Sequence, residues 1–281
     1  MDFKEKLNNY SDLIVRAGLN VQSGQLVNIS MEPFHRDFGV LLAEKCYELG
    51  ASYVNLELGD MRMTRLRAEL AADEHLGYTP AALSGFYDEI LDTGGANLKI
   101  IGPEDPEVLA SCDPASVNQI RLSRYQVLQR FYEEAIGKSR APWSLAAAAT
   151  PAWARKVFPD MSEDEAYQAL WNEIFRVARV DQPNYLAIAQ EHNKKLKKRA
   201  KGLTDKKIKR LKFTGPGTDL IVGLSSKAIF KGGGDVTPGG IEFEPNIPTE
   251  ECFTTPDCRE TEGVVRATRP VMINGVMIED L

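Results

Sequence analysis

Through its first 150 residues the chain alternates helical and extended patterns, and this alternation constrains the fold more than any single motif. Residues 3–17 place Leu7, Tyr10, Leu13, Ile14 and Ala17 on one helix face before Gly18. Residues 25–31 (QLVNISM) read as a strand, 38–49 as a helix closed by Gly50, and 52–58 (SYVNLEL) as the next strand. Helical patterns follow at 61–70 and 81–91. Residues 97–101 (NLKII) form a third strand, ended by Gly102 and Pro103. A helix near 117–134 and a fourth apolar run at 143–149 complete the series. Strands separated by helices run parallel, because the helix carries the chain back across the sheet. Right-handed crossovers then predict an α/β fold: a parallel Rossmann-like or flavodoxin-like sheet with helices on both faces.

Three more helices are predicted. Thr150 and Pro151 give an N-cap followed by proline at the first helical position. Ser162 and Glu165 form a capping-box pattern at the head of residues 162–179. Residues 183–200 run into KKLKKRAK, whose positive charge complements the negative end of the helix dipole. Aromatic residues do not interleave with these charges, so the run reads as a solvated helix end and not as a nucleic-acid surface. From about residue 205 the pattern becomes short strands between glycine- and proline-rich turns: IKRLKFTG, TDLIVGLS, AIFKGG, GIEFEPN and EGVVRATRPV. MINGVMI reads as a hairpin turning at Asn274-Gly275. The expected division is an N-terminal α/β domain over residues 1–204 and an antiparallel α+β domain beginning at 205–281.

Charge and composition limit the partners. The chain has a net charge of -6, 43% hydrophobic and 26% charged residues, which suits a soluble protein and not a nucleic-acid binder. No apolar run approaches a membrane span, and the N-terminus MDFKEKLNNYSDLIV is too interrupted for a signal peptide. Cys46, Cys112, Cys252 and Cys258 form no CxxC pair and read as free thiols of a cytoplasmic protein.

Chemistry-bearing motifs are few. There is no phosphate loop, dinucleotide fingerprint, GxSxG elbow or HExxH pair. The three histidines are dispersed: His35 at a helix entry, His75 in a polar turn, and His192 on a helix, where packing or hydrogen bonding is the simpler role. The most informative stretch is NIPTEECFTTPD, residues 246–257. Its prolines disfavour a long helix, and a rigid loop suits a carboxylate ligand for a divalent ion. Adjacent carboxylates in extended chain point to opposite sides, so at most one of Glu250 and Glu251 faces a given metal unless the loop bends. As a bare pair they read first as an exposed acidic turn and only second as a ligand.

Taken together, several segments resemble the aminopeptidase T / aminopeptidase S family of metalloaminopeptidases. They are RAGLNVQSGQLV (16–27), LLAEKCYELGAS (41–52), TPAWARKVFPDMSEDEAYQALWNEIFRVARVDQ (150–182), EHN (191–193), FTGPGTDLIVGL (213–224), NIPTEECFTTPD and EGVVRATRPV (262–271). The resemblance implies release of N-terminal amino acids from peptides with two divalent ions, zinc or cobalt. It implies that PTEE supplies one glutamate ligand, Glu251 in preference, with its neighbour Glu250 as the alternative. It also implies that the remaining ligands lie in a C-terminal catalytic segment with no counterpart here. The chain is therefore expected to be a truncated, inactive form that binds metal weakly. A homodimer, or self-association through an exposed strand at 264–281, is expected. Arg266 and Arg269 are candidates for orienting a peptide or pairing with the acidic loop, and Asp219 for holding the GPGTDL turn. The alternative expectation is a non-enzymatic binding or scaffold module, docking a ligand at the strand ends near Glu32, His35 and Asp60.

Overall fold

The computed structural model describes residues 1–269, 271–273 and 276–278. In chain order its elements begin with α1 (Phe3–Leu13), β1 (Leu26–Met31), α2 (Arg36–Glu48), β2 (Tyr53–Leu58), α3 (Met61–Leu70), α4 (Asp73–Leu76), α5 (Ala82–Thr93) and β3 (Ala96–Ile101). They continue with α6 (Pro114–Val127), β4 (Trp143–Ala147), α7 (Pro151–Val157), α8 (Glu163–Val177) and α9 (Tyr185–Asp205). The strands that follow are β5 (Arg210–Gly215), β6 (Thr218–Leu224), β7 (Asp235–Val236), β8 (Glu242–Phe243), β9 (Asn246–Ile247), β10 (Pro256–Val264), β11 (Val271–Ile273) and β12 (Val276–Ile278). Helix starts follow local chemistry. Asp2 and Glu5 each accept the other's backbone N–H at 2.8 Å at the head of α1. Asp113 caps α6, whose first residue is Pro114, and the Thr150 hydroxyl accepts the Trp153 N–H at 3.2 Å to open α7. The predicted first helix divides: its last turn, Ile14–Leu19, is a wider π-type turn.

The chain forms two compact units. The first comprises Met1–Ala189 and Asp235–Pro248. Its centre is a five-stranded sheet in the order β2-β1-β3-β4-β9, with every neighbouring pair parallel. With β9 as its fifth strand this is the flavodoxin-like order, in which the chain changes direction between β1 and β3. The pleat of β1 sends Val27, Ile29 and Met31 to one face, into a core with α1, α2 and α8. Tyr10, Phe38, Trp171 and Phe175 interlock there, with Trp171–Phe175 ring centroids 5.2 Å apart. A second, smaller cluster (Tyr87, Ile90, Leu91, Leu128, Phe131) is built mainly on α5 and on the turn that follows α6.

The other side of β1 is polar. Asn28 is fully buried and lies in register with Asn55 on β2 and Asn97 on β3. The Asn28 amide donates to Asn97 Oδ1 at 3.0 Å, and Asn55 donates to Asn28 Oδ1 at 2.8 Å. Glu57 continues the network, accepting from the Tyr87 hydroxyl at 2.5 Å and from the Arg124 guanidinium at 3.0 Å. Burial and the Glu57 carboxylate together push the Tyr87 hydroxyl well above its ordinary pKa.

The second unit comprises Gln190–Gly234 and Thr249–Leu281. It holds most of α9 and a three-stranded antiparallel sheet in the order β10-β6-β5. A two-stranded antiparallel pair, β11-β12, follows; the predicted turn residues Asn274 and Gly275 lie outside the described residues. Two predicted strands take other forms. AIFKGG forms only a turn and a single bridge, Lys231 to Phe253, because the glycine run offers no side chains to pack on a pleated surface. GIEFEPN breaks into β8, paired with β7, and the start of β9, which joins the parallel sheet through β4.

Candidate metal-ligand loop

The PTEE residues leave β9 at Ile247, and in the second unit Thr249 to Phe253 is clasped from two directions. On one side Lys231 and Phe253 exchange two backbone hydrogen bonds of 2.9 Å. The adjoining glycines let the chain approach closely. A Cβ on Gly232 would lie 2.8 Å from the Glu251 carbonyl oxygen and 2.9 Å from Cys252 Sγ. On Gly233, whose φ is +73°, it would lie 2.4 Å from the Asn193 carbonyl. On the other side stands α9, where the Leu196 carbonyl accepts from Cys252 Sγ at 3.5 Å. The loop is thus held by backbone contacts of the KGGG segment and by one face of α9.

His192 is the residue of α9 that reaches the paired carboxylates. Its Nε2 lies 2.9 Å from the Thr249 carbonyl oxygen and 3.3 Å from Glu250 Oε2. A carbonyl only accepts, so His192 donates from Nε2–H, and the same hydrogen faces the Glu250 carboxylate. Sequence reasoning preferred Glu251 and gave His192 a packing or hydrogen-bonding role. Both carboxylates are exposed; the structure sets Glu250 beside the imidazole, while the Glu251 carbonyl lies against Gly232. The sequence signal for His192 was the EHN triplet, which carries no spacing rule linking it to a loop 57 residues away.

The other candidates lie apart from this pair. Asp219 faces Lys212 across the β5–β6 pair at 3.5 Å. The Arg266 backbone N–H donates to the Thr218 hydroxyl at 3.2 Å, and Arg269 is exposed. Among the described residues no three His, Cys, Asp or Glu side chains gather as a metal-binding group. A paired-metal centre needs several carboxylate and imidazole ligands around ions ~3.5–4 Å apart. Glu250 is one such donor, and His192, whose Nε2–H turns to the Thr249 carbonyl and Glu250, orients it; the described residues therefore do not fit such a centre, although they suit one corner of it.

In the first unit, Glu32, His35 and Asp60 lie near strand ends, and their polar atoms serve the backbone. Glu32 Oε2 accepts the Glu104 N–H at 2.9 Å, and Glu104 Oε1 accepts the Phe34 N–H at 2.5 Å. The two loops beside the β1/β3 switch point are thereby laced together. The His35 ring, 3% exposed, is 2.8 Å from the Gly102 carbonyl. A Cβ on Gly102 would come within 2.5 Å of that ring and 2.0 Å of the Ala148 carbonyl, so the backbone here packs tightly against His35. Burial lowers the His35 pKa, and burial raises that of Glu32, helped by the nearby Glu104 and Asp60 charges. Asp60 caps α3 through the Arg62 N–H at 2.9 Å and pairs with the Arg62 guanidinium.

Fold and loop define the class: a flavodoxin-like α/β unit joined to a smaller antiparallel unit that presents a carboxylate–imidazole corner. Comparison with known proteins specifies it, because the thermophilic metalloprotease (M29) family matches residues 3–281 and the chain belongs to that family. The family is one of hydrolases. Aminopeptidase T of Thermus thermophilus is 38% identical over 280 residues, covering 99% of this chain and 68% of the relative. Aminopeptidase 2 of Geobacillus stearothermophilus is 35% identical over 281 residues, covering 99% and 67%. Aminopeptidase AmpS of Bacillus subtilis is 33% identical over 278 residues, covering 99% and 67%. The solved structure of wild-type AmpT from Thermus thermophilus superposes with a TM-score of 0.89 at 37% identity, covering 99% of this chain and 68% of that one.

Proposed function

We propose that this chain serves a metal-dependent aminopeptidase reaction, release of N-terminal amino acids from peptides, and that its 281 residues do not catalyse it unaided. The first half rests on the family and on relatives named as aminopeptidases at 33–38% identity. The second half rests on the donor set, since the PTEE loop and His192 offer a corner of a metal site and nothing described completes it. Zinc or cobalt is the proposed ion, with Glu250 and Glu251 as the candidate protein ligands. Glu250 is preferred because an imidazole already orients it. No helix among the described residues is long and apolar enough to cross a membrane, and free thiols at Cys46, Cys112, Cys252 and Cys258 suit a cytoplasmic setting.

The test is a peptidase assay on the purified chain with zinc or cobalt added, alongside calorimetry. No amino-acid release and metal binding weaker than about 1 μM are expected. Glu250→Gln is expected to remove more of any residual uptake than Glu251→Gln. Chelator-sensitive release of amino acids by this chain would overturn the second half of the proposal.

A further inference from the structure

The strongest unassigned feature of the surface is its charge. Between Gln190 and Lys212 the sequence carries eleven Lys and Arg against two acidic residues, a local excess of nine. The whole chain totals -6, so the remainder stands at -15. This basic block occupies α9 and β5 of the second unit, and most of its side chains are exposed. Leu196 and Ala200 are buried, which fixes the rotation of α9. Lys194, Lys198 and Lys201 then project from the opposite side. Lys195 and Arg199 fall on the flank that contains His192, at spacings i, i+3 and i+7. One ridge of the helix therefore begins at the imidazole touching Thr249 and Glu250 and continues as two cations. Lys195 meets Glu191 at 3.6 Å in an exposed i,i+4 pair, and the Arg199 guanidinium has no carboxylate within ion-pair distance among the described residues.

We infer that this ridge is a recognition surface for acidic peptides, selecting substrates with carboxylates a few residues beyond the N-terminus. The inference rests on the aminopeptidase reading and adds a substrate class to it. Rise along a helix places Lys195 about 4.5 Å and Arg199 about 10 Å beyond His192. An extended peptide covers ~3.3–3.6 Å per residue, so Arg199 matches a side chain about three residues along. Other polyanions fit less well. A single-stranded nucleic acid is held by aromatic platforms, and this ridge has none. A membrane-surface helix needs a free apolar face, whereas the apolar face of α9 is buried.

The test uses the 281-residue chain and two C-terminally labelled probes, Leu-Gly-Gly-Glu-Glu and Leu-Gly-Gly-Lys-Lys, read by fluorescence anisotropy. The acidic probe is expected to bind about tenfold more tightly at low salt, with the preference shrinking toward 0.15 M salt, where the Debye length falls to ~8 Å. The double variant Lys195→Gln/Arg199→Gln is expected to abolish the preference. Lys194→Gln/Lys198→Gln removes the same charge from the back of the helix and is expected to retain it within about twofold. Far-UV circular dichroism and urea midpoints confirm that both variants are folded. Equal affinity for the probes, equal effects of the two variants, or displacement of the acidic probe by a tighter-binding single-stranded oligonucleotide would each overturn the assignment. The readout needs no turnover. A silent peptidase assay therefore leaves it intact, and a missing charge preference leaves the aminopeptidase reading intact.

Discussion

At the scale of single residues, His35 shows how a histidine near a strand end becomes structural. It is buried, bonded to the Gly102 carbonyl, and sits where any side chain on Gly102 would collide with it. Burial holds its pKa below the ordinary 6.5, so the folded chain resists a proton that the unfolded chain accepts. The stability it contributes is present above pH 6.5 and is lost as pH falls toward the lowered value. Glu32 acts in the opposite sense: its raised pKa costs stability as pH rises above 4.5, so the wild-type profile mixes the two. Urea titrations of His35→Asn and wild type between about pH 7 and pH 5 separate them. The variant is expected to lose less stability on acidification, whatever its starting level. An unchanged slope would mean that His35 takes up its proton equally in the folded and unfolded states. Sequence reasoning placed His35, Glu32 and Asp60 correctly at strand ends, because the strand boundaries were legible. It did not show that the carboxylates of Glu32 and Glu104 are spent on backbone amides 72 and 70 residues away, since no local pattern encodes that pairing.

At the scale of elements, the asparagine ladder shows why the polar letters inside QLVNISM and SYVNLEL are not flaws in strand patterns. Asn28, Asn55 and Asn97 share one register, and each side-chain amide satisfies its neighbour across β2, β1 and β3. Asn28→Ala would strand two amides beside Glu57. The expected cost is about 2–3 kcal/mol, read as a lower urea midpoint with an unchanged slope. A loss under about 0.5 kcal/mol would show that water replaces the central amide without penalty. The helices other than the single-turn α4, where His75 was read in a polar turn, and the first four strands were legible because periodicity and caps are local. The fifth strand was not, since β9 is two residues long, and its parallel partner β4 lies about 100 residues earlier. The PTEE loop itself was legible as a rigid carboxylate-bearing segment. What holds it was not, because Gly232, Gly233 and His192 act through tertiary contact.

At the scale of the whole molecule, the division into units runs through α9 and returns twice, with Asp235–Pro248 grouped with the first unit. A single cut near residue 204 follows the change of pattern, whereas the contacts follow the sheet that captures β9. The second unit's small sheet ends in two edges among the described strands, and they differ in chemistry. The β5 edge carries Arg210 and Lys212, charges of the kind that discourage strand addition. The β10 edge carries Asp257, Arg259, Glu260 and Glu262 along most of its length and only then runs into Val264 and Val265, which are 66% and 51% exposed. The exposed apolar end at Val264 and Val265, beyond these charges, is the part of the edge open to pairing with another chain. Self-association of this 281-residue chain is therefore expected to proceed through β10 and not through β5. Sedimentation velocity across a concentration series is expected to show a rising weight-average coefficient for the wild type. Val264→Lys/Val265→Lys should flatten it, while Lys212→Val on the opposite edge should steepen it. Because these positions are exposed and outside both hydrophobic clusters, the thermal midpoint should move little in either variant. Concentration-independent sedimentation of the wild type, or association that survives the paired lysines, would show that the β10 edge is not the surface through which copies meet.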